Sequence, residues 1–222
     1  MAENLPAVEV RKRDPEGTRR DIMAVATVEF ANQGFAGARV DKIAEDTATT
    51  KRMIYYYFGS KEGLYLAVLE AAYEEVRLLE TNLNVDDLEP LLALRQLAEF
   101  TYDHHTSHQA FIRLVQIENI HRAEHLEKSQ RIRDLNSTAI FTLESIIKRG
   151  VDGGIFRSDI DALDAHMMIS AYSIFQVANQ HTFKSIFGRD MLDANLHDKY
   201  RRLAGDMIVD VMTQVLPPSQ KK

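Results

Sequence analysis

Apolar residues in this chain recur three and four positions apart, and no extended block repeats them at the two-residue step of a half-buried strand. That pattern restricts the fold to helices packed on helices, because a core forms only where apolar faces are continuous. In RRDIMAVATVEFAN, for example, Ile22, Val25, Ala26 and Phe30 keep the helical step. Ten glycines and five prolines are too few to punctuate 222 residues into short strands, while Ala, Leu, Ile, Met, Glu and Arg recur in long runs. The expectation is an all-α fold.

Start and stop signals divide the chain into about nine helices. The first spans 18–32, with Thr18 as N-cap, Gly34 closing it and Phe35 folding back as an apolar anchor. A short helix at 40–46 turns Val40, Ile43 and Ala44 inward. The turn TATT follows, and Thr50 caps a third helix, 51–57. Ser60 caps the next, 61–79. Further helices are expected at 88–103 and 107–117, at 119–149 (kinked or divided), at 160–182, and from 197 to Leu216, where Pro217 and Pro218 end it. The domains are then a small N-terminal unit, 14–60, and a larger one, 61–222. No flexible linker separates them, because the boundary falls at the start of helix 61–79.

Several functions are excluded or disfavoured. With no cysteine there is no disulfide, thiolate nucleophile or cysteine-ligated zinc. No apolar run suits a signal peptide or a membrane span, so a cytoplasmic protein with no membrane partner is expected. GxSxG, a phosphate-binding glycine loop and HExxH are all missing, which predicts no catalytic residues, no cofactor and no enzyme. Six of the eight histidines fall between 104 and 166. His104/His108 and His121/His125 are four apart, and Glu118 lies three before His121, a spacing that suits metal ligands as well as chance in exposed helices. No metal site is predicted from it.

The net charge of −6 disfavours a nucleic-acid partner until its distribution is considered. Residues 1–61 hold ten Lys plus Arg against nine Asp plus Glu, and the acidic excess belongs to the rest. In TTKRMIYYYFGSKEG, residues 49–63, basic side chains and three tyrosines share one short helix and its exit. The plain reading is a solvated helical hairpin whose tyrosines pack a local core. The alternative is a helix for the DNA major groove, with Thr50, Lys51, Tyr55, Tyr56 and Lys61 on phosphates, Arg52 and Met53 at base edges, and Arg39 joining from the helix before. Arg11, Lys12, Arg13, Arg19 and Arg20 would meet backbone or minor groove.

The run GFAGARVDKIAEDTATTKRMIYYYFGSKEGLYLAVLE, residues 34–70, strongly resembles the N-terminal DNA-binding domain of TetR-family transcriptional regulators. The matching pieces are Gly34-Phe35, Ile43-Ala44, Tyr55-Tyr56-Tyr57-Phe58 and Ser60-Lys61-Glu62; with helix 18–32 they cover about a quarter of the chain. The resemblance implies a three-helix helix-turn-helix head followed by a ligand-binding and dimerisation domain. It makes Thr50 a cap and phosphate contact, puts Lys51, Arg52, Met53, Tyr55 and Tyr56 on the recognition helix, makes Lys61 a backbone clamp, and buries Tyr57 and Phe58. One departure stands out: many members carry Ala-Gly-Val-Ser in the turn where this chain has Thr47-Ala48-Thr49-Thr50. The missing glycine costs ease at a positive backbone angle, and the missing valine puts a hydroxyl in a mostly buried place.

The resemblance also implies a homodimer joined through helices 160–182 and 197–216, binding a palindromic operator on double-stranded DNA. A repressor released by a small organic effector is the expected function; a TetR-like activator, or a regulator controlled by a protein partner, is the alternative. Polar groups amid apolar bulk on the middle and later helices are the candidate effector ligands. They are Tyr102, His105, Phe111, Gln116, Asn119 and His121, then His166, Tyr172, Gln176 and Asn179. The bland reading makes the same residues surface polars and satisfied helix–helix hydrogen bonds.

Overall fold

The computed structural model describes residues 14–214. Among them are ten α-helices and no strand. The first, α1 (Pro15–Gly37), begins earlier than its sequence suggested. Asp14 is the cap, its carboxylate accepting the Gly17 amide at 3.0 Å, and Pro15 has no amide to leave unpaired. Thr18 instead donates its hydroxyl to the Asp14 carbonyl. At Gly34, φ is +69°, a value that few side chains tolerate, and the chain turns there to lay Phe35 5.2 Å from the Tyr65 ring.

The next three helices, α2 (Val40–Asp46), α3 (Lys51–Phe58) and α4 (Lys61–Thr81), complete the head. Its core is Ile22, Ala26, Phe30, Ile43, Ile54, Leu64, Tyr65 and Val68. Two residues from far along the chain, Leu114 and Ile132, belong to the same cluster. The head is therefore packed onto the body and not hung from it. The α4 helix serves both parts, since its later residue Val76 packs with Phe111, Ile112 and Val177.

The body comprises α5 (Pro90–Ser107), α6 (Gln109–Ile120), α7 (Gln130–Asp152), α8 (Ala162–Ala178), α9 (Gln180–Phe187) and α10 (Ala194–Thr213). Leu94, Leu97, Leu143, Ile146, Ile169, Ile208 and Met212 form its core. At Gly150 the Phe156 ring lies so close that an added Cβ would sit 2.0 Å from it, which only glycine permits. Two long helices expected from sequence are each divided. The 119–149 stretch breaks because Arg122 and Ala123 adopt left-handed φ of +59° and +61°. The 160–182 stretch breaks at Asn179, whose amide side chain donates to the Phe175 carbonyl and ends α8. The last helix starts before 197 because Asp193 caps it. Leu216, Pro217 and Pro218 lie outside the described residues, as do Arg11, Lys12 and Arg13.

Candidate functional site

The α2–turn–α3 unit presents one helix outward. Thr50 accepts the Met53 amide at 3.2 Å, and Ile54, fully buried, pins α3 to the head core. Around the opposite arc Lys51, Arg52, Met53, Tyr55 and Tyr56 are exposed, Tyr56 at 78%. Tyr57 and Phe58 are half-buried against the core. The three tyrosines thus divide, two outward and one inward. The turn holds Ala48 at φ +49°, the position where a glycine would sit without strain, and Thr49, at the valine position, is half-buried.

The flanking cations are held in different ways. Lys51 pairs with Asp41 at 3.1 Å, Arg39 is exposed at the start of α2, and Arg19 lies over the Phe58 ring at 5.4 Å. Lys61 is half-buried: its ammonium donates to the Ala36 carbonyl at 3.3 Å and sits 5.0 Å from the centre of the Phe35 ring. Burial lowers its pKa. An ammonium carries three donors, so the bond to Ala36 leaves two unused.

In the body, α4, α5, α7 and α8 enclose a cavity of about 270 Å³ lined by Arg77, Glu80, Thr101, Thr138, Thr142 and His166 among others. Arg77 pairs with Glu80, whose pKa burial raises despite that partner, and the Arg77 Nε is buried with no hydrogen bond in the protein. Deeper between α5 and α8, His105 Nδ1 and the Ser173 hydroxyl are hydrogen-bonded at 2.7 Å. Both nitrogens of His104 are buried and unpartnered, and its ring stacks on His108 at 4.3 Å. Burial, reinforced by neighbouring cationic groups, lowers the pKa of His104 to about 4 and of His105 to about 3. A second, wider hollow of about 650 Å³ lies between α8, α9 and α10 and is walled largely by Met168, Phe175, Phe183, Met191, Met207 and Val211.

Comparison with known proteins decides the family. Residues 22–68 match the description "Bacterial regulatory proteins, tetR family", and residues 90–208 match "Tetracyclin repressor-like, C-terminal domain". The chain belongs to the TetR family. Among relatives of this TetR-family regulator, the transcriptional repressor NicS of Pseudomonas putida is 38% identical over 83% of this chain and 87% of its own. RutR of Escherichia coli is 34% identical over 39% of this chain and 40% of its own. Solved structures share the fold. A transcriptional regulator of Streptomyces coelicolor superposes with a TM-score of 0.67 at 23% identity, covering 89% of this chain and 99% of that one. FadR of Bacillus subtilis, solved with stearoyl-CoA, gives 0.66 at 17% identity over 87% and 99%.

The TetR-family body does not gather the ten effector candidates into one place. His105 and Phe111 meet between α5, α6 and α8, their rings 5.9 Å apart. His166 faces the polar cavity, while Tyr172 and Gln176 line the wider hollow. Tyr102 is buried toward α10, 5.3 Å from the His197 ring, and burial raises its pKa. Gln116 is half-buried on α6 and Asn179 caps α8. Asn119 and His121 are exposed and line neither cavity, because the helix expected to begin at 119 does not: α6 runs on to Ile120 and the chain then reverses at Arg122 and Ala123. The same break separates exposed His121 from buried His125, so that histidine pair shares no helix face. Among the described residues no group of three or more acidic or imidazole side chains is placed to hold a metal. The sequence reading missed Arg77, Glu80 and Ser173, and weighed His104 only as a metal-ligand spacing with His108. A Thr-Thr pair four apart at 138 and 142, facing the polar end of a helix with Arg77 and Glu80, was the available signal.

Proposed function

We propose that this TetR-family repressor binds a palindromic operator as a homodimer and is released by a small organic effector. The observation that carries the DNA half is the exposed arc of α3, where Arg52, Met53, Tyr55 and Tyr56 project from a helix fixed by the Thr50 cap and buried Ile54. Such a helix enters a major groove, with Arg52 and Met53 at base edges and Thr50, Lys51, Tyr55, Tyr56, Lys61 and Arg39 on the backbone. Two copies reach successive grooves if their α3 helices stand about 34–36 Å apart.

Exposed apolar side chains on late helices support the dimer. Leu163, Met167 and Phe175 on α8 and Met207 on α10 are 49–63% exposed beside the wide hollow, a face that a second copy would cover. The cavity around Arg77, Glu80 and His166 is the effector site in this reading, since it sets a few charged and hydrogen-bonding side chains among apolar ones such as Leu97, Leu143 and Ile169. Control by a protein partner is the second reading, favoured only by that same apolar face.

The test is binding to upstream DNA over a salt series, with sedimentation alongside. Specific binding by dimers that weakens on Arg52→Ala at one or two base pairs, each worth roughly 1–3 kcal/mol, supports the assignment. Met207→Asp should yield folded monomers with little affinity, because burying an unpaired charge in an apolar seam costs several kcal/mol even after relaxation. An intact Met207→Asp dimer moves the interface elsewhere.

A further inference from the structure

The junction between head and body contains a buried acidic group that DNA binding, as described so far, does not use. Glu118, 2% exposed near the end of α6, accepts the backbone amides of His125 at 3.2 Å and Leu126 at 2.9 Å through one carboxylate oxygen. Those bonds close the reversal at Arg122 and Ala123 and bring the loop back under the head. The other oxygen lies 3.3 Å from His125 Nδ1. The His125 Nδ1 and the Tyr65 hydroxyl are both buried beside Glu118, and burial together with a hydrogen bond to that carboxylate raises the Tyr65 pKa. One carboxylate oxygen can accept from a donor on α4 and a donor on the loop together, so Glu118 ties both to α6.

The loop is tied to the head on both sides. His125 packs its ring 4.3 Å from Phe35 and 5.0 Å from Tyr65. Phe35 in turn carries the Lys61 ammonium on its other neighbour contact at 5.0 Å. At the end of the loop, Ser129 donates to Glu70 at 2.6 Å and Lys128 pairs with Glu62, both acids on α4. Toward the body, α6 bears Phe111, which touches the His104 and His105 rings beneath the effector region. A shift of α6 therefore reaches Phe35 through Glu118 and His125, without passing along α4.

We propose that Glu118 and His125 are positioning residues for the DNA-facing head: the carboxylate sets the 121–129 loop, and the His125 ring seats Phe35 so that Lys61 is presented to the DNA backbone. The proposal rests on the DNA-binding reading of Lys61, and the experiment separates the two.

The full-length protein is titrated onto a duplex that it has itself selected from a random pool, at several salt concentrations. Lys61→Ala should lower the salt slope by about one if Lys61 meets a phosphate. An unchanged slope there overturns the Lys61 reading. His125→Ala should lower the slope by the same amount and weaken binding by the same factor within twofold. The double variant should bind no more weakly than either single one. His125→Phe keeps the ring against Phe35 and should restore the slope, which a loss of stability alone would not predict. A slope lost with Lys61→Ala but kept with His125→Ala, or losses that multiply in the double variant, would overturn the positioning role alone. Should His125→Ala show no cooperative melt, Glu118→Gln in the same assay decides: a wild-type slope overturns the proposal and a lowered one supports it.

Discussion

The head and the body are both helical, yet they treat buried polar groups in opposite ways. In the head, Asp14, Thr50 and Ser60 each cap a helix by accepting an amide, and the core behind them is apolar apart from the Tyr65 hydroxyl at its border with the body. In the body, His104, Gln176 and Arg77 keep buried polar atoms without a partner in the protein. Unpaired buried groups cost about 1–3 kcal/mol each, so they persist where something other than stability is served. A rigid head needs one shape to read DNA. A body that answers to a ligand keeps hydrogen bonds unmade.

The contrast can be broken first at the centre of the head. Phe30 is fully buried 4.9 Å from Tyr65, and Phe30→Ala should cost about 3–5 kcal/mol in thermal or denaturant unfolding. A loss below about 1 kcal/mol would mean that the head is no more tightly filled than the body.

Acid provides the next test. His104 and His105 have folded pKa values of about 4 and about 3, below the unfolded value near 6.5. The unfolded chain therefore binds more protons between these limits. Their contribution is whole above pH 6.5 and is lost as pH falls toward 4 and 3. Melting temperature should drop steadily below pH 6.5, and less so in His104→Phe/His105→Leu. An identical pH profile for the double variant would assign acid sensitivity to other groups.

Smaller effects sharpen the comparison. Thr50→Ala should destabilise by about 0.5–2 kcal/mol, because the Met53 amide loses its acceptor at the start of α3. His104→Phe, by contrast, should leave the unliganded protein as stable as before or more so by up to about 1 kcal/mol, since it removes two unpaired nitrogens while keeping a ring against His108 and Phe111. Destabilisation by His104→Phe comparable to Thr50→Ala would show that those nitrogens are bonded in solution, and the contrast between the parts would fail.

The two parts were also unequally legible in the sequence. Helices α2 and α3, the Thr50 and Ser60 caps and the outward arc of α3 follow from residues adjacent in the chain, where a side chain and the amide it caps are three positions apart. Ala48 at a positive φ was foreseeable for the same reason: a four-residue turn leaves little choice of geometry. The body's helices were found, and the 119–149 stretch was expected to be kinked or divided, but the place of that break and the break at Asn179 were not foreseen. Arg122 and Ala123 are poor candidates for a left-handed turn by type, and what holds them is Glu118 reaching back from α6.

Sequence alone determined that this chain is all-helical, that its first part is a helix-turn-helix head, and that the head's exposed arc is basic and hydroxyl-rich. The first and the last are consequences of periodicity and capping, which act within a few residues; the helix-turn-helix head came from the resemblance carried by residues 34–70. Only the tertiary structure decided which polar side chains share a cavity, that Arg77 and His166 meet while Asn119 and His121 do not, and that Leu114 and Ile132 complete the head's core. Those outcomes depend on where chain reversals fall. A single reversal at Arg122 and Ala123 turns one expected helix face into two surfaces, one facing solvent and the other folded beneath the head.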